Sequence, residues 1–139
     1  MADVEIKLRR VKNCNFEAVN ADGQSAMIDG PASIGGENKG VRPMEMVLMG
    51  LAGCSSMDLL IILGKQRQNP EDVEVTVKGT RVDAVPAVYS DIHMHFEVSG
   101  DVSDKKLQKA VTLSVEKYCS VVNMLEPTVN ITHSASLKA

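Results

Sequence analysis

The sequence predicts a single α+β domain that spans residues 1–139. Apolar side chains recur at every second position in several segments, which is typical of half-buried strands, and at helical spacing in two longer segments. These segments follow the order strands, helix, strands, helix, strand, and no internal repeat interrupts them. A chain of 139 residues has the length of one domain and buries roughly two thirds of its unfolded surface.

The N-terminal part is predicted to form a small antiparallel sheet. Apolar and charged residues alternate in residues 4–9, which predicts a strand with one buried face. Residues 16–19 and 26–28 flank an Asp-Gly pair that favours a hairpin turn. Residues 29–40 are rich in glycine and polar side chains and show no periodicity, so we expect a mobile connector there.

A long apolar helix is predicted to begin at Pro43 and to continue to about Gln68, where Asn69-Pro70 ends it. The segment 46–63 is apolar on nearly all sides, so we expect both faces of the helix to be covered. Its charge-free part, residues 46–57, is shorter than the roughly 18 apolar residues that span a bilayer. We therefore expect a soluble protein with no membrane partner.

The second half contains three predicted strands and one helix. Strands 73–78 and 91–98 show clear alternation and are expected to pair. A second helix is predicted from an N-cap at Ser103 to about Leu125, just before a proline. The closing strand is predicted over residues 129–137.

Charge and cysteine content exclude several classes of protein. With 15 basic and 18 acidic residues mixed along the chain, the net charge is −3, which argues against a nucleic-acid partner. The first ten residues mix both signs of charge without an apolar stretch, which argues against a secretory signal and favours the cytoplasm. The three cysteines form no CxxC pair, so neither a disulfide framework nor a zinc site is expected.

Cys54 and Cys119 are the candidate reactive groups. Cys54 lies about ten residues inside the first helix beside two glycines, which let another backbone or a ligand approach closely. Cys119 borders the apolar stripe of the second helix, so the two thiols could face each other. Free cysteines are usually small buried hydrophobes, and a structural role is the alternative for both.

A reactive thiolate would need a nearby cation, because Cys54 is too deep in its helix to be activated by the helix N-terminus. The candidate cations in the sequence are Arg9, Arg10, Arg42, Arg67 and Arg81.

Glu45 and the histidines are weaker candidates. Glu45 precedes Cys54 by nine residues, about 14 Å along a helix at ~1.5 Å per residue, so the two cannot touch within one helix. Glu45 is therefore either a favourable acid in the first turn or a group that serves a thiol of a second subunit. His93 and His95 are expected to be solvated strand residues, and His133 a hydrogen-bonded core residue. We place none of the three in the active site.

Three segments resemble the OsmC/Ohr family, and its YhfA-like branch in particular. RPMEMVLMGLAGCSSMDLL is similar to the family helix that carries the first cysteine. GTRVDAVPAVYSDIHMHFEVSG and VEKYCSVVNMLEPTVNITHS resemble its strand pair, its second-cysteine helix and its closing strand. The resemblance implies an OsmC-like α+β fold, in which two long helices pack against curved antiparallel sheets in an intertwined homodimer.

The resemblance also implies a chemistry. Family peroxidases reduce organic hydroperoxides in oxidative stress defence, with a first cysteine that is oxidised to a sulfenic acid and a second that resolves it. Cys54 would be the peroxidatic residue, Cys119 the resolving residue and Glu45 a polar orienter. Electrons would come from a dithiol or a lipoylated protein, and no cofactor is implied. An N-terminal Arg partners the glutamate in these peroxidases, but residues 13–30 contain no Arg.

Two other functions are compatible with the sequence. The chain could be a non-catalytic or weakly catalytic protein that binds an apolar small molecule at the dimer interface. It could also be a structural protein whose three thiols are inert.

Overall fold

The computed structural model describes residues 3–138, which form two compact units. The first unit ends at Val47 and the second begins at Leu48.

The first unit contains a three-stranded antiparallel sheet, as predicted. Its strands are β1 (Lys7–Lys12), β2 (Asn15–Val19) and β3 (Ser25–Ile28), in that spatial order. The tip between β2 and β3 is closed by Gly23, which has a φ of 84°. The expectation of a buried face on β1 is wrong for this chain, because every residue of the strand is exposed.

The segment after β3 is held by the carboxylate of Asp29. The backbone N–H groups of Lys39, Gly30 and Glu37 donate to it at 3.0, 2.8 and 3.2 Å. A 3₁₀ turn over Ala32–Ile34 adds further order. The prediction of a mobile connector over residues 29–40 is therefore wrong, because one buried side chain supplies the hydrogen bonds that composition could not reveal.

Helix α1 (Pro43–Lys65) is the longest element and ends three residues before the predicted Gln68. Arg67 adopts a left-handed conformation with a φ of 59°. The Arg67 N–H donates to Gly64 O and the Gln68 N–H to Leu63 O. This pair of hydrogen bonds is a Schellman motif, which satisfies the last carbonyls of the helix.

One stripe of α1 is buried within the chain. It consists of residues spaced four apart, namely Leu51, Ser55, Leu59 and Leu63. The expectation that both faces are covered is not met within the described residues, since other large side chains stay exposed. These are Met49, Met57, Leu60 and Ile61.

Helix α1 is also long and apolar enough to cross a membrane by length and composition alone. Core helices of soluble proteins pass the same test, so one such helix is weak evidence for a membrane.

The second unit contains a mixed sheet with β5 in its centre. β4 (Asn69–Arg81) pairs antiparallel with β5 (Tyr89–Asp101), as expected for this strand pair. β6 (Asn130–Leu137) pairs parallel with β5, with Ile92 opposite Ile131. The expectation of only antiparallel sheets is therefore wrong. The helical segment between β5 and β6 returns the chain to the starting end of β5, and such a crossover produces parallel pairing.

The helical segment between these strands has three parts. They are α2 (Asp104–Leu113), a π-helical turn (Ser114–Tyr118) and α3 (Ser120–Leu125). The predicted N-cap is confirmed, since Ser103 Oγ accepts the N–H of Lys106 at 3.3 Å.

The prediction of one continuous second helix is wrong, because Cys119 interrupts it with extended φ and ψ angles of −68° and 113°. Its N–H closes the wide turn on Ser114 O at 2.8 Å, and α3 then begins on a new axis.

Candidate active site

Cys54 occupies the middle of α1, beside the buried stripe. It is half-buried and directly precedes Ser55, whose side chain is fully buried. Asp58 follows Cys54 by four residues, so both side chains lie on the same side of the helix.

Cys119 lies at the break between the π-helical turn and α3, and its side chain is buried, with the residue 2% exposed. Two serine contacts join this break to α1. The Ser55 hydroxyl donates to Cys119 Sγ at 3.2 Å, and the Ser114 hydroxyl donates to Ser55 O at 2.7 Å. The interruption of the helix thus directs Cys119 towards the centre of α1.

Three groups meet at this point and form what we call the thiol cluster. Its members are the Sγ atoms of Cys54 and Cys119 and a carboxylate oxygen of Asp58, all within 4.8 Å of one another. Residues 65 positions apart in sequence are therefore brought into direct proximity. Two thiols and a carboxylate can carry out thiol redox chemistry or bind a metal ion.

Burial raises the pKa of the Cys119 thiol, and the adjacent Cys54 raises it further. Hydrogen bonds from the Ser55 hydroxyl and the Val122 N–H act in the opposite direction without cancelling the effect of burial. The pKa of the Cys119 thiol therefore lies above the ordinary value of a cysteine.

Asp58 is the site residue that the sequence analysis missed. Its Oδ2 atom is buried and has no hydrogen-bond partner among the described residues. In the sequence, Asp58 is only the charge that follows the charge-free segment 46–57. Its spacing of one helical turn from Cys54 was the available signal.

A cavity of about 340 Å³ begins at Asp58. Its wall combines apolar side chains with two lysines and the side chain of Gln66, whose Oε1 atom is also buried and has no hydrogen-bond partner within residues 3–138. The lining residues are Asp58, Ile61, Ile62, Lys65, Gln66, Lys109, Leu113 and Tyr118. The cavity can therefore accept a molecule that has an apolar body and a polar group.

Glu45 caps the start of α1. Its Oε1 atom accepts the N–H of Arg42 at 2.8 Å, which is one half of a capping box. The structure does not include Glu45 in the thiol cluster, and its role as a polar orienter stays a prediction. Of the candidate cations, Arg9 pairs with Glu17 and Arg81 donates to the carbonyl of Ala87.

The histidines lie in hydrogen-bonded positions outside the thiol cluster. His93 Nε2 and His95 Nδ1 approach the hydroxyl of Ser134 at 3.0 and 2.6 Å, so they form a polar ladder between β5 and β6. His133 is hydrogen-bonded as predicted, with its Nε2 atom 3.0 Å from Glu116 Oε2, but the prediction of a core position is wrong because the residue is only half-buried and Glu116 is exposed.

Comparison with known proteins gives one consistent result. Residues 36–134 match the family model described as OsmC-like protein. The chain is 40% identical to Protein YhfA of Escherichia coli strain K12 over 137 residues, which are 98% of this chain and 99% of that protein. This agrees with the YhfA-like branch expected from the sequence.

Two solved structures share the fold. A hypothetical protein from Aquifex aeolicus VF5 superposes with a TM-score of 0.87 and 34% identity, over 99% of this chain and 98% of that one. An organic hydroperoxide resistance protein OsmC from Legionella pneumophila superposes with a TM-score of 0.75 and 19% identity, over 98% of both chains. The family model and the identity to YhfA, with these superpositions, show that the chain belongs to the OsmC-like protein family.

Proposed function

We propose that this protein is a cytoplasmic thiol peroxidase that reduces organic hydroperoxides with Cys54 and Cys119. The observation that carries the proposal is the proximity of the two Sγ atoms, which belong to distant parts of the sequence and lie within 4.8 Å. A disulfide needs an S–S distance of about 2.05 Å, so the two sulfurs have to approach each other by no more than about 2.8 Å to form one.

The proposed reduction of a hydroperoxide has three steps. The Cys54 thiolate attacks the terminal oxygen of the hydroperoxide ROOH, the O–O bond breaks, and a proton completes the alcohol ROH, which leaves Cys54 as a sulfenic acid. The Cys119 thiol then attacks the Cys54 sulfur and water leaves, which forms the disulfide. A dithiol or a lipoylated protein returns two electrons and two protons, and its own sulfurs become a disulfide.

The environments of the two thiols support these separate roles. Cys54 is half-buried, and Asp58, one helical turn further along α1, lines the cavity; this partial exposure supports access of a substrate to Cys54. Cys119 is almost fully buried and its pKa is raised, which supports a thiol that is kept from the peroxide and reacts with the neighbouring sulfenic acid. Lys65 and Lys109 place positive charge on the cavity wall.

A homodimer completes the proposal. Met57 is 68% exposed, and Met49, Leu60 and Ile61 are also largely exposed on α1. A second copy of the chain would remove this apolar surface from water, which favours association. Glu45 then acts on the thiol of the second subunit as a polar orienter.

Peroxide consumption by the reduced protein with a dithiol reductant tests this function. Cys54→Ser should abolish turnover of cumene hydroperoxide. After prior reduction and removal of the dithiol, Cys119→Ser should consume one equivalent of peroxide and accumulate a sulfenic acid that dimedone traps. Cys14→Ser is the matched control and should keep full activity, because Cys14 lies in the first unit, where it bonds to Asp29. Unchanged turnover in Cys54→Ser would refute the proposal.

Binding of an apolar small molecule is the second candidate function, and the cavity beside Asp58 favours it. Ile61, Ile62, Leu113 and Tyr118 give this cavity a largely apolar wall. Native mass spectrometry of the purified protein would reveal a retained ligand. A stoichiometric ligand, together with thiols that do not react with peroxide, would favour binding over catalysis.

A further inference from the structure

We propose that the reduced thiol cluster is a zinc site in which Cys54 Sγ, Cys119 Sγ and a carboxylate oxygen of Asp58 are the three protein ligands. This site uses the same two cysteines as the peroxidase function proposed above, but it does not rest on that function. The sequence argued against zinc because the cysteines show no short ligand spacing, but the fold supplies the proximity that the spacing does not.

The donor atoms suit zinc in type and in geometry. Thiolate sulfur and carboxylate oxygen bind Zn²⁺ at about 2.3 and 2.0–2.2 Å, which places neighbouring tetrahedral ligand atoms about 3.3–3.8 Å apart. The three atoms of the cluster already lie within 4.8 Å of one another. Small side-chain rotations therefore bring them to zinc distances, with no rearrangement of α1.

The buried Oδ2 atom of Asp58 is the independent observation that points to a cation. A buried carboxylate oxygen without a hydrogen-bond donor is costly, and native proteins usually satisfy such atoms. A metal ion held between Asp58 and the two thiols would provide the missing partner. No other group of three such donor residues lies this close together among residues 3–138.

The surroundings of the cluster support the ligands. The Ser55 hydroxyl and the Val122 N–H both donate to Cys119 Sγ, at 3.2 and 3.5 Å. Such hydrogen bonds stabilise a metal-bound thiolate and fix its direction. Three protein ligands leave the fourth zinc position open to water.

Zinc and the disulfide exclude each other. A Cys54–Cys119 disulfide removes both thiolate ligands, and bound zinc occupies both sulfurs and so protects them from peroxide. Zinc binding would therefore depend on the redox state of the protein.

Equilibrium dialysis of the fully reduced full-length protein against Zn²⁺, with no peroxide present, tests this site. We expect one zinc per chain in the wild type and in Cys14→Ser. We expect at least tenfold weaker binding in Asp58→Asn, which keeps the side-chain shape, and loss of binding in Cys119→Ser. Substitution with Co²⁺ should give the near-ultraviolet sulfur-to-metal charge-transfer band and the visible absorption of a tetrahedral site.

Two results would overturn the zinc site. One is wild-type binding no stronger than that of the Cys54→Ser, Cys119→Ser double variant, with circular dichroism showing that both are folded. The other is equal affinity of the wild type and Asp58→Asn. Failure here leaves the peroxidase function untouched, because peroxide-driven disulfide formation is measured without metal. Conversely, zinc binding by a protein whose thiols do not react with peroxide would contradict the proposed peroxidase function and leave the zinc site standing.

Discussion

At the scale of single residues, Ser55 connects the parts of the thiol cluster. Its hydroxyl donates to Cys119 Sγ, and its carbonyl accepts the hydroxyl of Ser114. The same hydroxyl lies 3.7 Å from Met94 Sδ of β5. One small buried side chain thus sets the position of the second thiol relative to α1.

Ser55→Ala should lower the free energy of unfolding by about 1 kcal/mol, because it removes a buried hydrogen bond to Cys119 Sγ. It should also slow disulfide formation, since Cys119 loses the contact that directs its sulfur. Urea unfolding and thiol-oxidation rates measure the two effects. Ser56→Ala, outside the buried stripe, is the control and should change both by little. Wild-type values in Ser55→Ala would show that the contact is unimportant.

Asp29 makes the stability of the first unit depend on pH. The N–H of Lys39, together with those of Gly30 and Glu37, lowers the pKa of this carboxyl from 3.8 to about 2. Because the pKa is lower in the folded protein, the stabilisation is fully present above about pH 4 to 5. It is lost as the pH falls towards 2.

Asp29→Asn should therefore be clearly less stable than the wild type at pH 6, and the difference should shrink as the pH approaches 2. Thermal unfolding across this pH range measures it. Asp22→Asn, at the exposed hairpin tip, is a matched control that should follow the wild type. A constant difference between Asp29→Asn and the wild type would contradict the assigned role.

At the scale of secondary-structure elements, the sequence predicts the order and type of the main segments but not the break in the second helix. Apolar residues keep helical spacing through residues 107–122, so periodicity cannot show that Cys119 leaves the helix. Alternation also cannot distinguish parallel from antiparallel pairing, so it predicts β6 as a strand but not its parallel pairing with β5. The sequence alone identifies the two cysteines as candidate site residues. The role of Asp58 becomes apparent only in the fold, which places its carboxylate beside the two thiols.

The end of α1 provides a test of an element boundary. Arg67 adopts a left-handed conformation that costs a non-glycine residue about 1–2 kcal/mol. Arg67→Gly should raise the free energy of unfolding by about 0.5–1 kcal/mol, since glycine is the preferred residue at this Schellman position. Lys65→Gly, at the last residue of α1, should instead lower it, by up to about 1 kcal/mol. Urea denaturation measures both, and a loss of stability in Arg67→Gly would contradict the assigned cap.

At the scale of the whole molecule, the exposed apolar face of α1 is the feature that one chain does not explain. Soluble monomers seldom leave a continuous row of large apolar side chains in water. Their exposure in the single chain is the reason that we propose a homodimer.

Leu60→Lys tests that dimer, because Leu60 is 48% exposed in the single chain. In a monomer this surface change should alter the stability by no more than about 0.5 kcal/mol. In a dimer it should lower the mass in solution to that of one chain and lower the melting temperature. Lys105→Gln on α2 is the control. A wild-type melting temperature that does not change on dilution, with a monomer mass, would contradict the dimer.

The central claim is that Cys54 and Cys119 form one redox pair, and peptide mass spectrometry tests it most directly. Reduced protein is exposed briefly to cumene hydroperoxide or to hydrogen peroxide, alkylated and digested. The account predicts rapid formation of the Cys54–Cys119 disulfide, faster with the organic peroxide, while Cys14 remains alkylated. Alkylated thiols at both Cys54 and Cys119, or a disulfide that involves Cys14 instead, would contradict it.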